Sequence, residues 1–134
     1  MQTYRIEDKP AFTVFGVHCR LRGDDSAQEM LAFRQAVLQQ AQPPVYGMYG
    51  VCVKGTDYLI ADEMTPGMRV PLGCVKLEIP ALTWAVFTFS DGLPQRAHLP
   101  EGCGWQQTAD VYIEAYMSGD TDGCELWLPV KRPA

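Results

Sequence analysis

Ile6-Glu7-Asp8-Lys9-Pro10-Ala11-Phe12-Thr13-Val14 is echoed about seventy residues later by Leu77-Glu78-Ile79-Pro80-Ala81-Leu82-Thr83-Trp84. Each segment reads as a strand that bends at a proline and resumes as a strand, because proline is tolerated at corners and edges and not in mid-ladder. A duplicated unit is the simplest source of such an echo.

Between the two corners, Ser26-x-x-Glu29 has the form of a capping box ahead of Met30, Leu31, Phe33, Val37, Leu38 and Ala41, which are apolar at helical spacing. A helix over 27–41, stopped by Pro43-Pro44, follows. Tyr46 to Val53 and Tyr58 to Met64 read as short strands around the turn residues Lys54-Gly55-Thr56-Asp57. The first unit, about residues 2–64, is therefore β-α-β-β. The second, about 69–130, offers strands at Arg69 to Ile79, Leu82 to Ser90, Val111 to Met117 and Cys124 to Val130. Its helix is eroded, since Gly92, Pro94, Pro100, Gly102 and Gly104 all fall where that helix belongs. The fold class expected is α+β, with antiparallel sheets and pseudo-twofold symmetry.

At 134 residues, 47% hydrophobic and 20% charged, the chain has the composition of one globular domain. A net charge of −5 with no basic stripe argues against nucleic acid and mildly favours a cationic partner. The N-terminus lacks the pattern of a signal peptide and no apolar run approaches a membrane span, so a soluble, cytoplasmic protein is expected, without a membrane partner. Cys19, Cys52, Cys74, Cys103 and Cys124 are odd in number and scattered, which reads as reduced thiols. His18 and His98 have no Cys, Asp or Glu at ligand spacing, so neither metal nor cofactor is expected. The sequence leaves oligomeric state open.

The chemistry concentrates in one strand. Tyr112, Glu114 and Tyr116 share a face, with Val111, Ile113 and Ala115 on the other. A carboxylate flanked by rings suits an organic cation, each ring face adding about 0.5 to 2 kcal/mol. The plain alternative is a solvated strand face with tyrosines as cover. Trp84 and Trp105 are further ring candidates; tryptophan is more often core, and Trp105, in a glycine-rich loop, is either a groove lid or a packed anchor. Tyr46 and Tyr49 lie on the corresponding strand of the first unit, where Gly50 stands in place of the glutamate. That glycine either leaves room on the axis or marks a bulge. Glu7, Asp8, Glu63, Glu78, Asp91 and Glu101 read as surface charges.

The Pro-Ala corners, the duplication, Ile113-Glu114-Ala115-Tyr116 and Glu125-Leu126-Trp127-Leu128-Pro129-Val130 together resemble the gyrase-inhibitor-like small-molecule-binding family. That family also supplies the effector-binding domains of AraC-type and MerR-type multidrug regulators. Trp84-Ala85-Val86-Phe87 is similar to the family's Tyr-Ala-Val-Phe strand. The resemblance implies a ligand groove along a pseudo-twofold axis, with Glu114 and Tyr116 at the positions that meet cationic drugs. Residues and resemblance together point to a stand-alone domain that sequesters or senses a small, cationic aromatic compound, with Glu114, Tyr116, Tyr112, Trp84, Trp105, Tyr46 and Tyr49 as contacts and one groove wall formed by 91–109. No nucleophile elbow, phosphate loop or complete calcium loop is present. Two rival readings stay open: a hydrolase of a hydrophobic electrophile with Glu114 as general base, and a protein-interaction role such as topoisomerase modulation.

Overall fold

Both Pro-Ala corners fall between strands, as proline's missing donor requires. The computed structural model describes residues 4–21, 26–53, 57–89, 99–108, 111–116 and 124–132, with the backbone alone at Ser26 and Ala27. In order these form β1 (Tyr4–Lys9), β2 (Phe12–Arg20), α1 (Ser26–Leu38), β3 (Tyr49–Val53), β4 (Asp57–Glu63), β5 (Val75–Ile79), β6 (Leu82–Phe89), β7 (Gln106–Gln107), β8 (Val111–Tyr116) and β9 (Cys124–Lys131). All strand pairs are antiparallel, in the order β1-β6-β9-β8-β3-β4-β2-β5, with β7 on β9. Among the described residues one helix packs against an antiparallel sheet, which is the α+β class expected.

The two bent strands share one register. Lys9 opposite Leu82 in β1·β6 is followed, past the corners, by Phe12 opposite Ile79 in β2·β5. Because β2 also pairs β4 and β6 also pairs β9, the hydrogen bonding runs round in a ring. Exchanging β1 with β5, β2 with β6, β3 with β8 and β4 with β9 leaves the strand order unchanged.

The sheet is curled. Phe12 on β2 and Trp127 on β9 are four strands apart in the order, about 19 Å on a flat sheet. Their ring centroids are 6.3 Å apart. The concave face carries Val14, Val51, Leu59, Ala61, Ile79, Trp84, Val86, Ile113 and Trp127 as one buried cluster. On the convex face, α1 lays Met30, Phe33, Val37 and Leu38 against Phe15, Cys52, Tyr58 and Ile60. A second convex cluster, built on Phe87, Leu126, Leu128 and Val130, is packed by Tyr4, Leu99 and Trp105. Tyr112 touches both convex clusters and so marks the seam between them.

Two strands start later than the sequence suggests. β3 begins at Tyr49, not Tyr46, because the Asp62 carboxylate takes the backbone N–H groups of Tyr46, Gly47 and Met48 at 2.6, 2.9 and 3.0 Å. Those donors have no need of a ladder. β5 begins at Val75, not Arg69, after two turns in which Met68 N–H and Cys74 N–H close on Thr65 and Pro71. The helix ends at Leu38, before Ala41, and Leu31, expected in its apolar stripe, is 41% exposed. Of the segment 91–104, where an eroded helix is expected, 91–98 lies outside the described residues, and 99–104 form a turn with no helix. Among the described residues no helix is long and apolar enough to cross a membrane.

Candidate functional site

At the centre of the sheet β3 lies beside β8, and Gly50 faces Glu114 directly across the ladder. Strand alternation puts Tyr112, Glu114 and Tyr116 on the convex face, beside Tyr58, Ile60 and Asp62 of β4. β4 and β8 are separated by β3, so about 10 Å of backbone lies between Tyr58 and Glu114. The two side chains nevertheless meet above β3, the Tyr58 hydroxyl donating to Glu114 Oε1 at 2.6 Å.

They meet because position 50 has no side chain. A Cβ there would overlap both Glu114 Oε1 and the Tyr58 hydroxyl. Of the two readings of Gly50, the unbroken pairing of Tyr49 to Val53 excludes a bulge, and the space over the glycine is filled by the carboxylate and the phenol. The Tyr116 hydroxyl donates to the same Oε1 at 3.3 Å. Glu114 is 5% exposed and, with Asp62, makes up the buried charged residues among those described.

Burial pushes the Glu114 carboxyl above the usual carboxylate range, against the two tyrosine bonds and the nearby Arg34 charge, which pull it down. Burial raises the Tyr58 and Tyr116 phenols well beyond their ordinary range, and the Glu114 charge adds to it. Both tyrosines therefore stay neutral donors.

Arg34 is the residue that sequence reasoning missed most completely. It lies in line with Met30 and Leu38 on the inward stripe of α1, where an apolar residue is the norm. Its guanidinium carbon stands 3.6 Å from the centroid of the Tyr116 ring. Nη2 donates to the Gly47 carbonyl at 2.8 Å, while Nη1 is buried with no hydrogen-bond partner among the described residues. Gly47 has a φ of 81°, and a Cβ there would crowd Leu38 and Arg34. Asp62 holds that glycine's N–H, so it acts on Arg34 through the 46–48 backbone.

The structure gathers some predicted contacts and separates others. Tyr116 and Glu114 are bonded, and Tyr112 adjoins them on the same face with its hydroxyl 3.6 Å from Met30 Sδ. Trp105 is a packed anchor in the second convex cluster, with Arg132 4.6 Å from its ring centroid. Trp84 and Tyr49 do not reach Glu114. Trp84 is 0% exposed on the concave face, 6.0 Å from Trp127, because its ladder partner is Pro129 and its face is that of Trp127. Tyr49 follows the same alternation: Gly50 looks to Glu114, so Tyr49 looks the other way, onto Phe12 and Trp127. Tyr46 stands 89% exposed, before β3 rather than on it. Among the described residues no group of three or more His, Cys, Asp or Glu is placed to hold a metal.

This curled antiparallel sheet, with a buried carboxylate at its centre and a helix on its convex side, is the part of the chain matched by a family of effector-binding proteins. The chain belongs to the Cass2 family of integron-associated effector binding proteins, whose pattern matches residues 5–130. It is 30% identical over 128 residues to the transcriptional regulator BrlR of Pseudomonas aeruginosa, a match covering 84% of this chain. The chain spans about half of that regulator, 47% of its length. Its fold is shared by SAV2435, solved bound to tetraphenylphosphonium, with a TM-score of 0.68 at 18% identity over 96% of this chain and 94% of that one. The integron cassette protein from the mobile metagenome of Vibrio cholerae has a TM-score of 0.63 at 13% identity, covering 96% and 95%.

Proposed function

We propose that this domain binds small organic cations with aromatic character on the convex face at Glu114, and that it sequesters or senses them in the cytoplasm. The observation that carries the reading is a carboxylate sunk to 5% exposure among tyrosine rings, held by two phenol hydroxyls and by no direct ion pair among the described residues. A buried charge of this kind is costly for folding, and its retention is accounted for by a ligand of opposite charge. Tyr116 and Tyr112 supply ring faces beside it. SAV2435, of the same fold, holds tetraphenylphosphonium, a cation with this combination of charge and aromatic surface.

Isothermal titration with tetraphenylphosphonium tests the reading. Saturable binding that Glu114→Gln weakens at least tenfold supports it; heat signals that are identical in parent and variant oppose it.

A further inference from the structure

The position beside Glu114 where a cation should sit is already occupied by a cation of the chain itself. Arg34 lies over the Tyr116 ring at 3.6 Å, and the hydroxyl of that ring is bonded to Glu114. We infer that Arg34 is a built-in occupant of the cation site, and that an incoming organic cation binds by displacing its guanidinium from Tyr116. The inference rests on the proposed ligand reading and adds to it the residue that sets affinity.

Three observations carry it. The stack on Tyr116 covers the ring face that a ligand cation needs, since one face of one ring cannot serve two cations at van der Waals distance. The guanidinium of this half-buried side chain is held weakly: Nη2 has the Gly47 carbonyl, and the buried Nη1 has no hydrogen-bond partner among the described residues. An unsatisfied buried donor disfavours the inward position, and moving Arg34 out to water restores its hydrogen bonds. Among the described residues Arg34 also forms no direct ion pair with Glu114, while its nearby charge favours the ionised carboxylate, so it compensates the acid without locking it. A long, flexible side chain on a helix exposed on its far side has room to swing outward.

An occupant of this kind sets a threshold. Weak cations fail to displace it, while those with ring surface to match the guanidinium succeed. It also keeps the empty site from exposing an uncompensated buried charge.

The test is titration of parent, Arg34→Met, Arg34→Lys and Glu114→Gln chains with tetraphenylphosphonium at several pH values, so that a change in the charge of Glu114 is separated from release of the ring face. Arg34→Met should tighten binding about tenfold, the scale of one desolvated cation–ring contact released. Arg34→Lys keeps the charge but cannot lie flat on the ring, so it should tighten binding by a smaller factor, and it decides the matter if the methionine variant does not fold. Unchanged or weaker binding in these variants, with binding still lost in Glu114→Gln, overturns the occupant while leaving the ligand reading intact. No binding by any of the four chains overturns both.

Discussion

Gly50 and Glu114 are cross-strand partners, and the absence of a side chain at the first allows the second to receive the Tyr58 hydroxyl across an intervening strand. The site is thus assembled from three strands and a helix around a hole left by one residue.

Gly50→Ala should destabilise the fold by about 1 to 3 kcal/mol, the usual cost of an extra methyl group forced into a filled space. The cost arises from Glu114 and Tyr58 and not from backbone strain. Urea unfolding measures it, and the double variant Gly50→Ala with Tyr58→Phe should recover part of the loss because the removed hydroxyl makes room. A double variant no more stable than Gly50→Ala would place the clash elsewhere.

Tyr58→Phe removes a donor from a buried carboxylate, at a cost of about 1 to 3 kcal/mol. It should also raise the Glu114 carboxyl further, since that bond is the largest influence holding it down. Carboxylate titration followed by infrared or NMR would register the rise.

Glu114 itself should make stability depend on pH in a definite direction. Its folded-state pKa lies above the ordinary value, so the native state holds the proton more tightly than the unfolded chain. The group's contribution is present below its unfolded pKa and is lost as pH rises through the folded one. Glu114→Gln should therefore be more stable than the parent at neutral pH, and the advantage should shrink as pH falls towards the carboxylate range. Melting curves across that range check it; an advantage that grows in acid contradicts the sign.

Asp62→Ala strips the acceptor from three backbone donors at once and should cost about 2 to 4 kcal/mol. Because Gly47 is one of the three and its carbonyl holds Arg34, ligand affinity should shift as well as stability. Binding unaltered in the folded variant would separate the 46–48 loop from the site.

What was legible in the sequence was what local chemistry fixes. The Pro10-Ala11 and Pro80-Ala81 corners were readable because proline forbids a continuous ladder there, and Tyr112, Glu114 and Tyr116 were readable because a strand alternates. Tyr58, Arg34 and Asp62 were not. Tyr58 reaches Glu114 through a register two strands wide, which no local pattern contains. Arg34 left a trace that was passed over, a charge within the apolar stripe of α1. Tyr58, Ile60 and Asp62 likewise alternate on a strand whose convex face is buried, where a carboxylate signals a structural acceptor. That Trp84 and Tyr49 lie on the face away from Glu114 was not legible, because ring type says nothing of which face a residue takes; only their ladder partners decide it.

The central claim, that Glu114 is the counter-ion for an organic cation, is tested most directly by isothermal titration of parent and Glu114→Gln with tetraphenylphosphonium and with a neutral aromatic compound of similar size. Glutamine keeps the shape and the acceptor for Tyr58 while removing the charge. The account predicts that the variant loses at least tenfold in affinity for the cation and keeps its affinity for the neutral compound. Equal cation affinity in parent and variant would contradict it, and an electrophilic ester consumed by the parent but spared by the variant would point instead to a hydrolase using Glu114 as base.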